Sequence, residues 1–169
     1  MFDINRIVPS EIDDYFRYST LKGHVHDMGA AMQGGIGGHA GLFSNSNDVA
    51  KIMQMFLQRG YYGGRRFFNE LTFDLFNTCY FCDLGNRRGI GFDKPEMDDS
   101  MATCGCVPKS SFGHSGFTGS YTWADPLNEI VYVFLSNRTY PTMENKLLSE
   151  HNIRTEIQRI IYESLNISK

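Results

Sequence analysis

The chain has 169 residues, the length of about one ordinary domain. With 41% hydrophobic and 14% aromatic residues it can fill a packed core, and a formal charge of −3 leaves no basic footprint for nucleic acid. No run approaches the roughly 18 apolar residues of a membrane span. The start, Met-Phe-Asp-Ile-Asn-Arg, lacks the charged-then-apolar order of a signal peptide, and no internal repeat is present.

Residues 1–23 read as an irregular polar lead-in. Within them Ser19-Thr-Leu-Lys22 fits a Ser-x-x-Lys nucleophile pattern, in which the serine opens a helix and the amine one turn on reaches its hydroxyl. Gly23 follows at once and no apolar helical stripe continues, so the pattern is read as coincidental. Residues 24–108 read as a helical and loop part. His24-Val-His26-Asp27 has the residue types of a metal cluster, but reads as a loop with a local His26–Asp27 hydrogen bond. Gly34 to Gly41 holds five glycines in eight residues without the Gly-Lys-[Ser/Thr] of a phosphate loop. It reads as a tight backbone passage, with His39 a cleft candidate whose plainer role is packing.

Val49, Ile52, Met53, Phe56 and Leu57 recur at helical period and predict a helix from about Asn47 to Arg59, capped by Ser44 or Ser46 and stopped by Gly60. A short helix is expected over Glu70–Phe76 with Asn69 as its cap. Arg88-Gly-Ile-Gly-Phe92 reads as a short strand whose glycines admit a neighbouring segment. The four cysteines, Cys79, Cys82, Cys104 and Cys106, form two close pairs. Their spacing is open to a zinc site, to disulfides in an exported protein, or to free thiols.

Residues 109–169 read as a sheet followed by a C-terminal helix. Phe112-Gly-His114-Ser115-Gly116 leads into a glycine turn. Ser120 to Ala124 alternates as a half-buried strand, with Tyr121 and Trp123 on one side. Ile130 to Leu135 is an unbroken apolar strand, expected to be central and covered on both faces. A helix over about Leu147–Leu165 should bury Ile153, Ile157, Ile160, Ile161 and Ser164 or Leu165 against the sheet. The expected fold class is α+β: one domain over residues 1–169, with an antiparallel sheet of three or more strands, a C-terminal helix on it and a small helical part.

The ordered set His114-Ser115-Gly116, glycine turn, Trp-containing strand, apolar strand and Asn137-Arg-Thr-Tyr-Pro141 resembles the C-terminal part of the serine β-lactamase and penicillin-binding-protein-like hydrolases. It is most similar to their class C and esterase-like branch, and the Gly34–Ser44 stretch resembles a second family segment. The resemblance covers roughly residues 20–165 and implies a partial fold of that family. It implies that His114 and Ser115 face the substrate, that Gly116 keeps the cleft open, and that the Phe117 N–H forms half of an oxyanion hole. Such a donor contributes about 3 kcal/mol to the transition state. Asn137, Thr139 and Tyr140 are implied as substrate-binding residues.

Family members carry a lysine where this chain has His114, and the cephalosporinases a cation four residues after Tyr-Pro, where this chain has Asn145. With both positions neutral or nearly so, the resemblance leans toward esterase- or amidase-like chemistry. Neither a convincing Ser-x-x-Lys nor any Tyr-x-Asn is present. The chain is therefore expected to be the C-terminal portion of a serine hydrolase, inactive alone. Its expected partners are a small-molecule or cell-wall-like substrate and a missing N-terminal part, with exposed strand edges inviting a second copy. No cofactor is implied, and the family places it in the periplasm or otherwise outside the cytoplasm. The alternative is a non-catalytic binding or structural module on the same scaffold, stapled or zinc-bound through its cysteines.

Overall fold

The computed structural model describes residues 3–96 and 102–166. In chain order it contains β1 (Pro9–Asp13), β2 (Ser19–Lys22), α1 (Met28–Met32), α2 (Ser46–Leu57), β3 (Tyr61–Tyr62), β4 (Arg65–Arg66) and α3 (Glu70–Asn77). There follow β5 (Phe112–Ser115), β6 (Tyr121–Asp125), β7 (Ile130–Phe134), α4 (Leu147–Glu150) and α5 (Ile153–Ser164). The fold is mixed α+β, and its sheets are antiparallel. The chain divides into two compact units, Met1–Asn45 with Gly116–Ser120 and Leu135–His151, and Ser46–Ser115 with Tyr121–Phe134 and Asn152–Lys169.

In the first unit, the stretch read as irregular forms a hairpin of β1 and β2, with a register shift between Pro9 and Glu11. The buried positions of β1 are Ser10, Glu11 and Asp13, and β2 adds Leu21. Acidic groups tolerate burial only when paired, and these are. Arg17 donates from Nε to Asp13 at 2.8 Å, and from its terminal nitrogens to the carbonyls of Val25 and His26 at 2.6 and 2.8 Å. Tyr15 donates to Glu11 at 2.8 Å, and His26 Nε2 lies 3.3 Å from the same carboxyl oxygen. Ser19 and Lys22 therefore sit on a strand, not at the start of a helix. Asp27 caps α1 by accepting from the Ala30 N–H at 2.7 Å, and it pairs with His39 at 2.8 Å. The local bond expected between His26 and Asp27 gives way to pairings of His26 with Glu11 and of Asp27 with His39.

In the second unit, β5, β6 and β7 pair in that order, so β6 is the central strand. The apolar strand β7, read as central, lies at an edge that carries no further strand among the described residues. One face of the sheet gives Phe112 and Ala124 to a cluster with Met53 of α2 and Phe73 of α3. The other gives Tyr121, Trp123 and Tyr132, packed by Ile157 and Ile161 of α5. Alternation along β6 thus feeds two cores, as a covered strand requires. Asn69 caps α3 by accepting from the Leu71 N–H at 2.9 Å.

The C-terminal helix is shorter than its periodicity suggests. It stops at Glu150 and resumes at Ile153, because Asn152 adopts a left-handed conformation with φ 51°. Its buried stripe is Thr155, Gln158 and Tyr162, while Ile153 and Ile160 are exposed. The oxygens of Gln158 and Tyr162 have partners, while Gln158 Nε2 is buried without one among the described residues. Gln158 Oε1 accepts from the Cys104 N–H at 3.0 Å and from the Tyr121 hydroxyl at 3.2 Å, and Tyr162 donates to Asp125 at 2.6 Å. The cysteines are joined locally as Cys79–Cys82 and Cys104–Cys106, so neither bridge staples the long segment between the pairs.

Candidate active site

The short strand β5 can lie against β6 only because residue 113 is glycine. A side chain there would overlap the Thr122 carbonyl and the Trp123 indole. The indole is held in turn by its N–H, which donates to the Ser111 hydroxyl at 2.9 Å. On its far side Gly113 exchanges two backbone hydrogen bonds with Asp93, at 2.8 and 3.1 Å. That bridge ends at one residue, and His114 and Ser115 complete the strand beyond it.

His114 is half-buried and Ser115 exposed. The His114 Nδ1 lies 2.7 Å from the Ser115 carbonyl oxygen, which can only accept, so Nδ1 carries a proton. In the neutral ring Nε2 is then an acceptor, and the atom facing it at 3.4 Å is Nη1 of Arg88. Arg88 belongs to the segment expected as a strand. It forms instead a tight turn closed by the Gly89 N–H donating to Phe92 at 2.9 Å, followed by a single bridge to Asp93. Gly89 is required there, since a Cβ would lie 2.6 Å from the Phe76 carbonyl oxygen.

In the first unit, Gly116 opens a turn that its own N–H closes by donating to Ser120 at 2.7 Å, and the Gly119 N–H donates back to Gly116 at 3.0 Å. Gly119 has φ 98°, and a side chain on it would overlap the Ser136 hydroxyl. Phe117 sits on this turn with an exposed ring, and its N–H has no hydrogen-bond acceptor among the described residues. Arg138 grips the turn: Nε donates to the Phe117 carbonyl at 2.7 Å, the backbone N–H donates to Thr118 at 3.0 Å, and the guanidinium lies 4.5 Å from the Phe117 ring centre. Its Nη1 donates to the carbonyls of Met143 and Asn145, each at 2.9 Å.

The three residues nominated for substrate have different surroundings. Thr139 is fully buried and donates to the Ser10 carbonyl at 2.8 Å, and Asn137 donates to that of Pro9. Both side chains hold β1, which leaves Tyr140 as the exposed member. A cavity of about 500 Å³ in the same unit is lined by Arg17, His24, Ile36, Phe43 and neighbouring glycines, and none of the residues nominated for catalysis or substrate lines it.

Sequence reasoning missed Arg138, although it lies inside the Asn-Arg-Thr-Tyr-Pro motif, and missed Arg88 at the head of the Arg-Gly-Ile-Gly turn. The clue in both cases was an arginine embedded in glycine- or proline-marked turn sequence. Among the described residues no group of three or more His, Cys, Asp or Glu could hold a metal ion, and no helix is long and apolar enough to cross a membrane.

The sequence profile of the family described as Beta-lactamase matches residues 6–154. A protein of Escherichia coli (strain K12) named "Putative D-alanyl-D-alanine carboxypeptidase" is 40% identical over 126 residues, covering 73% of this chain and 29% of that protein. A protein of the same name from Salmonella gallinarum is 36% identical over 131 residues, covering 76% of this chain and 30% of that protein. The chain thus spans about three tenths of the length of these curated relatives.

Proposed function

The chain belongs to the Beta-lactamase family, and from that membership we propose that it is the C-terminal portion of a serine acyl hydrolase acting on amide or ester substrates. The observation that carries this reading is the Phe117 amide, which follows the His114-Ser115-Gly116 motif in sequence and has no acceptor among the described residues. A backbone N–H held in place and unpaired in the resting protein is what an oxyanion hole needs, because it costs no reorganisation when negative charge develops. The second donor and the attacking hydroxyl come from a preceding segment bearing Ser-x-x-Lys and Tyr-x-Asn, so the 169-residue chain alone is inactive.

Two further features support the reading. The outer edge of β7, which pairs with no further strand among the described residues, is a template for another strand, and the preceding segment supplies it. Disulfides persist in oxidising compartments, so the two in this chain fit a cell-wall enzyme outside the cytoplasm. The name shared by the relatives suggests peptides ending in D-alanyl-D-alanine as substrate.

The test is to read the parent gene upstream for the two missing motifs, then assay the longer protein and the 169-residue chain. The substrates are a p-nitrophenyl ester and N-acetyl-D-alanyl-D-alanine. The longer protein should release product and the chain alone should not. Absence of both motifs upstream, or turnover by the chain alone, overturns the proposal. Motifs present with no turnover would favour the non-catalytic alternative.

A further inference from the structure

We propose that the Cys104–Cys106 disulfide is a thiol–disulfide exchange site, attacked by a low-molecular-weight thiol, and that the Cys79–Cys82 bridge of the same unit is inert by comparison. Neither bridge is accounted for as a tether. The gain from closing a loop grows with its length, and these bridges join cysteines only three and two positions apart. Exposure does not separate them, since all four cysteines are half-buried. What separates them is the group that faces the sulfur.

Exchange needs a leaving thiolate, and it runs faster the better that thiolate is stabilised. The Cys106 N–H lies 3.3 Å from Cys104 Sγ. A donor already aimed at this sulfur stabilises negative charge on it as the bond breaks. A second donor is one amide group away. Gln158 Oε1 accepts from the Cys104 N–H at 3.0 Å, while Nε2 of the same side chain is buried without an acceptor among the described residues. The turn is also held from its start. The Thr103 hydroxyl donates to Glu96 at 2.7 Å and accepts from the Gly105 N–H at 3.3 Å. The two sulfurs are thus kept together for re-closure after reduction. At Cys79 the surroundings are reversed. Its Sγ lies 3.3 Å from the Asn86 carbonyl oxygen, which repels a thiolate and favours a thiol. Cys79 also follows Thr78, the C-cap of α3, where the negative end of the helix opposes a further negative charge.

The incoming thiolate RS⁻ attacks Cys106 Sγ. The Sγ–Sγ bond breaks and its electron pair leaves on Cys104 Sγ, giving a mixed disulfide at Cys106 and a thiolate at Cys104. A second RS⁻ attacks the R-bearing sulfur of the mixed disulfide, releasing RSSR and the Cys106 thiolate. The two cysteine thiolates take up the protons that the two thiols gave up, so one protein disulfide is reduced and two thiols are oxidised to one disulfide.

Graded reduction of the 169-residue chain with glutathione, quenched with iodoacetamide and mapped by peptide mass spectrometry, tests this. Cys104 and Cys106 should be alkylated about tenfold faster than Cys79 and Cys82, the effect of one hydrogen bond to the leaving sulfur. Early in the course glutathione should sit on Cys106 with Cys104 alkylated, in preference to the reverse. The double variants Cys104→Ser with Cys106→Ser, and Cys79→Ser with Cys82→Ser, each leave one bridge and should reproduce the two rates. In urea the difference should shrink, because the facing groups are then lost. Equal rates in the folded chain, earlier opening of Cys79–Cys82, or glutathione mainly on Cys104 overturns the proposal. So does a rate ratio undiminished in urea, which would trace it to ring size alone.

Discussion

The Arg138 guanidinium donates to the Phe117 carbonyl at 2.7 Å and lies 4.5 Å from the centre of its ring. One side chain thus fixes both the backbone and the ring of the residue whose amide is the candidate oxyanion donor. The arginine is itself fixed by the Met143 and Asn145 carbonyls. A turn of exposed residues needs such a brace, since it has little apolar burial to hold it.

Arg138→Ala should therefore loosen the turn without unfolding the chain. The amides of Gly116 and Gly119, which donate within the turn, should exchange with deuterium about tenfold faster, the equivalent of one charge-assisted hydrogen bond. Arg138→Lys should rescue little, because an ammonium cannot reach the Phe117, Met143 and Asn145 carbonyls from one rigid fork. Unchanged exchange at both glycines would remove the brace from the account.

A second expectation concerns acid. Burial pushes the Asp13 carboxyl up, but Arg17 and the backbone N–H groups of Phe16, Tyr15 and Arg17 outweigh it and hold the pKa at about 2, against 3.8 for a free group. The folded value is the depressed one. The contribution to stability is thus fully present above pH 3.8 and is lost as pH falls toward 2. Asp13→Asn should weaken the hairpin at pH 6 and flatten the fall in stability between pH 4 and 2, as read by urea melts across that range. A wild-type slope retained in the variant would contradict it.

Where periodicity and apolar burial coincide, as in α2, β6 and the Asn69-capped α3, the elements are legible in the sequence. The β1–β2 hairpin is not, because the buried residues of β1 are Ser10, Glu11 and Asp13, and nothing local reveals that Arg17, Tyr15 and His26 will partner the two acids. The buried stripe of α5 fails for the same reason. Gln158 and Tyr162 outrank Ile153 and Ile160 only because Cys104, Tyr121 and Asp125 supply partners distant in sequence. Residues 114–117 can be nominated from a motif. The contacts that Arg88 makes with His114 and Arg138 with Phe117 cannot, since they exist only after a turn and a loop have folded back.

Gly113→Ala tests the seat of β5. The added methyl would overlap the Thr122 carbonyl and an indole that Ser111 holds in place, so neither neighbour can yield freely. Overpacking of this kind should cost about 3 kcal/mol. Trp123 is the only tryptophan in the chain, so its fluorescence in a denaturant melt reads the change directly. A variant as stable as the parent chain would mean that β5 is not seated as described.

The alkaline side should show a maximum of stability with two different causes on its flanks. Burial lowers the Lys94 ammonium to about 8, from 10.5; its Nζ lies over the Phe112 ring at 5.7 Å and 3.3 Å from Asn77 Oδ1 and the Ser110 carbonyl. The unfolded chain keeps that proton up to about 10.5, so the desolvation cost is full below pH 8 and shrinks as pH rises above it. Stability should climb from pH 8 toward 10. Beyond 10 the sign reverses, because burial pushes the hydroxyls of Tyr121 and Tyr162 far up and that of Tyr132 to about 12, while the unfolded chain releases those protons near 10. Lys94→Met should abolish the rise but keep the fall. It should be more stable than the parent at pH 7 by about 1–2 kcal/mol, a share discounted for the solvent that still reaches the amine. Urea melts at half-unit steps from pH 7 to 11 would show it, and a wild-type curve flat between 8 and 10 would place the Lys94 amine in water instead of against Phe112.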